Sequence, residues 1–140
     1  MRRIRTVVFL VFYCHLAVFS QSDSLFKGKF VNKEYDVYLV INFHDKDVKV
    51  PGQEIFGLLP GYLGSGGDGR KWLVTDAQCK DQKEALLEIS NDYGSEDLTA
   101  VIKVKNDSTF VLKQLEGSRI RIAVNRKWVK LPSELSFTRQ

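Results

Sequence analysis

Cysteine and histidine are the scarce residues in this chain, and their scarcity excludes more than any motif establishes. Of two cysteines, Cys14 falls in the first twenty residues and only Cys79 follows. One cysteine cannot form an internal disulfide, so the domain must rest on an apolar core, with Cys79 expected as a small buried hydrophobe. His44 is likewise the sole histidine after His15. A metal centre built from several imidazoles or thiolates is excluded, and no metal or other cofactor is expected. A Cys–His nucleophile pair would need Cys79 and His44 to meet across the fold, and no G-x-S-x-G elbow is present. Charge of one sign is missing too. Removing Arg2, Arg3 and Arg5 from the 21 basic residues leaves 18 against 17 acidic ones. That balance gives no reason to expect nucleic acid as a partner.

Long apolar runs are confined to the N-terminus. Three arginines precede residues 6–19, which are apolar except for His15 and a few small polar positions, and Val18 and Ser20 offer small side chains for cleavage. This is the pattern of a secretory signal peptide over residues 1–20, cut between Ser20 and Gln21, and it predicts a secreted or periplasmic protein. The run is too short and too abruptly polar afterwards for a membrane span, so no stable span is expected in the mature chain. Tyr13 stands before Cys14 where a lipoprotein needs a small residue, so Cys14 reads as part of the discarded leader. Residues 21–25 then form a tail and residues 26–140 a single domain, large enough to bury roughly two-thirds of its unfolded surface.

Within that domain almost everything repeats with period two. Tyr35, Val37, Leu39, Ile41 and Phe43 alternate with mostly polar partners. The pattern returns at Ala85, Leu87 and Ile89, at Leu98, Ala100, Ile102 and Val104, at Phe110 and Leu112, at Ile120, Ile122 and Val124, and at Leu135 and Phe137. Each run predicts a strand with one face in the core. The best helical candidate, residues 76–88, reads better as two strands around a hairpin tip at 80–83. A three-residue tip at 106–108 pairs Val104 with Phe110 and Ile102 with Leu112, whereas a two-residue tip sets Lys103 against Phe110. By the same logic a tip at 116–118 pairs Leu112 with Ile122. Further tips are expected at 31–34 and 44–47. Short tips between successive strands describe an all-β, antiparallel up-and-down meander closing as a small barrel of eight to ten strands. A two-sheet β-sandwich is the alternative, with residues 60–69 long enough to cross between sheets.

The first strand, Phe26-Lys27-Gly28-Lys29-Phe30, has the form F-x-G-x-aromatic and resembles the opening of the calycin barrels, the lipocalins and fatty-acid-binding proteins. The resemblance implies that Phe26, Gly28 and Phe30 close one end of the barrel against a basic residue of the last strand, for which Arg139 is the candidate. Two departures stand out: no helical lid follows the first strand, and the C-terminus lacks an R-x-aromatic pair. The resemblance implies a shape and a cavity, without a carboxylate clamp.

Several constellations are candidates for chemistry. Five of the ten glycines lie in GYLGSGGDGRKW, Gly61 to Trp72. A phosphate-binding loop would need Lys-Ser/Thr and a helix afterwards, but Arg70, Lys71 and a strand follow, with Asp68 in the cradle. The stretch therefore reads as a flexible connector at a barrel mouth. Its RKWL echoes RKWV at 126–129, but the flanks do not align. His44-Asp45-Lys46-Asp47 reads as a solvated turn, and the acidic stretch at 91–97 lacks the spacing of a calcium loop. Residues 98–140 carry nine basic and three acidic side chains. The expected register sets Lys113 opposite Arg121, with Lys103, Lys105 and Arg119 on the same outer face, a candidate surface for an anionic surface or protein.

These features predict a non-enzymatic, exported binding module. Val37, Leu39, Ile41, Phe43, Ile102, Leu112 and Ile122 would line an interior able to hold a small apolar molecule, with Tyr35, Phe43, Tyr62 and Trp72 as ligand-binding residues. A secreted or envelope interaction domain using the basic face is the alternative, and a hydrolase without recognisable motif comes third.

Overall fold

A computed structural model describes residues 25–140. The expected leader at 1–20, with Cys14, and the tail at 21–24 lie outside the described residues. The alternating segments close into a ring. β1 (Lys27–Asn32) and β2 (Val37–Asn42) form the first hairpin. β5 (Gly61–Ser65), β6 (Asp68–Cys79), β7 (Glu84–Asn91), β8 (Asp97–Asn106) and β9 (Thr109–Gly117) follow in succession. β12 (Glu134–Arg139) pairs with both β9 and β1 and completes an eight-stranded antiparallel barrel. Closure removes the free edges that a sandwich would leave, and the sandwich alternative is discarded. Two short ribbons interrupt the meander: β3 (Val48–Lys49) with β4 (Leu58–Leu59), and β10 (Arg121–Val124) with β11 (Lys127–Lys130).

The inward face is one apolar cluster. Phe30, Phe110 and Phe137 are fully buried, and Leu39, Leu87, Ile102 and Leu112 keep at most 2% of their surface in water. The Phe30 and Phe110 rings stack at 4.2 Å, while Phe26 stacks on Phe43 at 5.3 Å and meets Phe110 edge-on at 5.7 Å. Each such side chain contributes about 2 kcal/mol by leaving water. A second, smaller cluster lies outside the barrel wall. There Val48 and Val50 cover Tyr62 and Leu73, with Tyr38, Val40 and Leu59 packed alongside. The β3–β4 ribbon is thus a patch over β2, β5 and β6.

Three expected hairpins are present, but only the one near 106–108 has pairs that the alternation specified, kept by a bulge that shortens its tip to residues 107–108. Ile102 faces Leu112 and Val104 faces Phe110. Residues 80–83 form the tip between β6 and β7, with Ala85 opposite Cys79. β1 and β2 pair Phe30 with Leu39, although the tip is 33–36 and not 31–34. Residues 44–47 do turn the chain, but β2 takes β5 as its second neighbour and leaves Val48 to the ribbon.

Three expectations are overturned. GYLGSGGDGRKW is no flexible connector: Gly61–Ser65 is a wholly buried barrel strand, and only Gly66 and Gly67 turn before β6. A side chain at Gly61 would strike the Val40 carbonyl at 2.5 Å, and one at Gly64 the Tyr38 ring at 2.6 Å. These glycines admit close neighbours. The register across 116–118 also fails. Gly117, at φ 106°, ends β9, and Leu112 faces Leu135 of β12 in place of Ile122. Lys113 accordingly lies opposite Glu134, and Arg121 opposite Lys130. Cys79 is exposed at the end of β6, not buried.

Candidate functional site

Strand direction sorts the turns to two ends. The start of β1, the 44–47 and 80–83 turns and the C-terminus share one end. Here the residues named for barrel closure come together. The Arg139 guanidinium lies 4.7 Å above the Phe30 ring and donates to the carbonyls of Lys27 (2.8 Å) and Leu25 (3.4 Å). Gly28, at φ 135°, leaves room for it: a Cβ there would stand 2.8 Å from Arg139 Nη1. Phe43, expected to bind ligand, belongs to this end and stacks on Phe26.

The opposite end gathers Tyr35, the 66–67 turn, the 91–97 loop and the β10–β11 ribbon. The ribbon is a cap. Ile120 and Leu131 are buried at 0% and 1%, and Ile122 joins them in the main cluster. Its base is fixed by Gln114, which accepts from the Ile120 amide (2.8 Å) and donates to the Pro132 carbonyl (2.9 Å). Trp72 fastens the side, its indole N–H donating to the Arg121 carbonyl at 3.0 Å. Arg121 then reaches across to Glu96, Nη2 to Oε1 at 2.6 Å.

Between this cap and the 91–96 loop lies a cleft of about 240 Å³. Its outer wall is Trp128, 57% exposed although it is one of only two tryptophans. Arg70 sits 4.5 Å from the indole centroid and Arg121 5.6 Å, both cation–π distances. Thus the two echoing RKW segments, whose likeness carried no meaning as a repeat, meet here in space. The facing loop is held rigid by Asn91, whose Oδ1 accepts from the amides of Ser95 (2.9 Å) and Glu96 (3.2 Å). Its Nδ2 donates to Ser95 Oγ at 3.0 Å. Asp92 Oδ2 accepts from the Lys71 amide at 3.0 Å and from Gln53 Nε2 at 3.4 Å, tying the loop to β6 and to the 51–57 segment. Tyr93, 77% exposed, stands at the rim. The acidic loop therefore spends its oxygen atoms on its own backbone and neighbours.

On the other flank of the cap lies a groove of about 620 Å³, walled by Tyr35, Val124 and Val129 and reaching Ser65. Ser65 Oγ is buried without a hydrogen-bond partner. Of the four residues expected to bind ligand, Tyr35 and Trp72 do lie at this end. Trp72 is 6% exposed and forms the cleft floor, where its indole anchors the cap. Tyr62 faces outward into the second cluster, where burial and the neighbouring Tyr38 hydroxyl raise its pKa above 10.0.

The five basic residues do not make one face. Arg121 joins the cleft, Arg119 donates to the Leu131 carbonyl (3.2 Å), and Lys113 lies 3.9 Å from Glu134. Lys103, flanked by Glu84 and Val111, remains with Lys105 on β8. His44-Asp45-Lys46-Asp47 is organised by Asn42, which donates 3.1 Å bonds to both Asp45 and Asp47. Among the described residues no cluster of three or more histidine, cysteine, aspartate or glutamate side chains forms a metal site, and no helix is long and apolar enough to cross a membrane. The cleft escaped sequence reading because its parts lie far apart in the chain; the RKW echo at 70–72 and 126–128 was its trace there. Comparisons with protein-family models, curated proteins and solved structures find no match.

Proposed function

We propose that this chain is a non-enzymatic binding module that takes a small ring-bearing ligand in the Trp128 cleft, outside the barrel. One observation carries the reading: an exposed indole, flanked by two guanidinium groups, faces a loop that its own hydrogen bonds make rigid. The part of the indole left in water offers apolar surface that a ligand ring would bury, and pre-ordered polar walls lower the entropic cost of binding. The volume suits a ligand smaller than a typical drug. A ligand inside the barrel is supported less well, because the inward phenylalanines already stack on one another. The basic-face alternative loses support with the scattering of its residues. The arginine-led apolar leader supports an exported setting.

The test is a fragment titration followed by backbone and indole NMR shifts. Binding at the cleft moves Arg70, Trp72, Tyr93, Ser95 and Trp128 together and is lost in Trp128→Ala. Shifts confined to inward residues such as Phe110 and Leu112 would return the site to the interior.

A further inference from the structure

The cleft carries more unused donors than acceptors, and that imbalance identifies the ligand's chemistry. Its carboxylates are largely engaged: Glu96 takes Arg121 on Oε1 and Asn91 on Oε2, and Asp92 takes both the Lys71 amide and Gln53 on Oδ2. The Asn91 carbonyl takes two loop amides, and the Arg121 carbonyl takes Trp72. The donors are differently placed. Arg70 is exposed and forms no ion pair among the described residues, its guanidinium carbon lying 4.5 Å from the Trp128 ring centroid. A cation–π contact gives a guanidinium's N–H groups no hydrogen-bond acceptor, and their fork can grip a carboxylate with two parallel bonds. Ser95 Oγ accepts from Asn91, so its proton remains to be donated, and the Tyr93 hydroxyl stands at the rim. With the Arg121–Glu96 pair internally neutral, Arg70 and Lys71 outweigh Asp92 in charge.

We propose that the ligand is a ring bearing a carboxylate, its ring against Trp128 and its carboxylate held by the Arg70 fork. The inference rests on the Trp128 cleft being the binding site. A neutral polyol would need acceptors as well as donors and would leave Arg70 unmatched; a carboxylate satisfies it. The same chemistry is offered by an acidic sugar and by an aromatic acid.

The experiment titrates the whole chain with glucuronate and benzoate, and with their neutral counterparts glucose and benzyl alcohol, following the backbone amide shifts of Tyr93 and Ser95, which remain in every variant. At least one acid binds about tenfold or more tightly than its neutral counterpart, the scale of a charge-assisted hydrogen bond, and added salt narrows the gap. The stronger acid shows whether sugar or aromatic ring is preferred. Arg70→Met, at an exposed position, removes the preference for acid, and Arg70→Lys restores part of it. Neutral and acidic probes binding alike, with both lost in Trp128→Ala, overturns the carboxylate inference and leaves the site standing. Probes indifferent to Trp128→Ala, or none binding at millimolar concentration, overturn both.

Discussion

The β10–β11 ribbon has two faces with opposite duties, and two substitutions only three residues apart should separate them. Leu131 is 1% exposed within the main cluster, whereas Trp128 is 57% exposed on the cleft side. Leu131→Ala removes three buried carbon atoms and leaves a hole at the junction of cap and barrel. Such truncations cost 2–5 kcal/mol depending on how far the site collapses; a short ribbon relaxes more readily than a barrel strand, which places the cost at about 3 kcal/mol. In a domain of this size that is a fall in Tm of roughly 10 °C. Trp128→Ala loses two exposed cation–π contacts of about 0.5–1 kcal/mol each and the covered part of a ring that is 57% exposed, so its cost is about 1–2 kcal/mol, below that of Leu131→Ala. Urea unfolding followed by circular dichroism measures both. Hydrogen exchange adds the local view: in Leu131→Ala the amides of β10 and β11 lose protection before those of β7 and β8. A Leu131→Ala cost under about 1 kcal/mol, or a Trp128→Ala cost equal to it, would refute the capping geometry.

The remaining predictions concern buried polar groups. Because the Tyr62 pKa is raised in the fold, the unfolded chain ionises first as pH climbs; stability is complete below pH 10.0 and falls as pH rises through the higher folded value. Tyr62→Phe should remove that component of the alkaline loss, read from urea midpoints of the two proteins across the same pH series; identical alkaline slopes would contradict it. Ser65 Oγ, buried without a partner, contributes nothing to offset its lost hydration. Ser65→Ala is therefore expected to leave stability unchanged or raise it by up to about 1 kcal/mol, and a loss larger than that would mean the hydroxyl is paired.

What could be read from the sequence was what depends on near neighbours. Period-two alternation located most barrel strands, and steric matching across a tip set Ile102 against Leu112 and Val104 against Phe110. Arg139 was suggested by the family resemblance and not by spacing, and its guanidinium lies over Phe30 and beside Gly28. Failures came where distant partners decide. Gly61–Ser65 looked like a loop because its glycines were taken for freedom, when the Val40 carbonyl and the Tyr38 ring occupy the space their side chains would fill. Tyr62 and Leu63 alternated there, but so short a signal is lost among glycines. Pairing of Leu112 with Ile122 was sound as a hairpin rule; it failed because β12 competes for the same edge of β9 and closes the ring, which no two-strand comparison can weigh.

That competition also explains why the candidate site sits on the outside. An eight-stranded barrel encloses little more than its own side chains, and here five inward phenylalanines share that space. Arg139 occupies one end and the displaced β10–β11 ribbon covers the other. Excluded from the ring by β12, the ribbon buries Ile120, Ile122 and Leu131 over the mouth and so must turn Trp128 outward, since alternate residues of a strand face opposite ways. Arg70 meets Trp128 because β6 begins beneath the ribbon, directly after the Gly66–Gly67 turn. The glycine-rich stretch thus bears on binding through the strand and turn it forms: they bring the first RKW segment under the second.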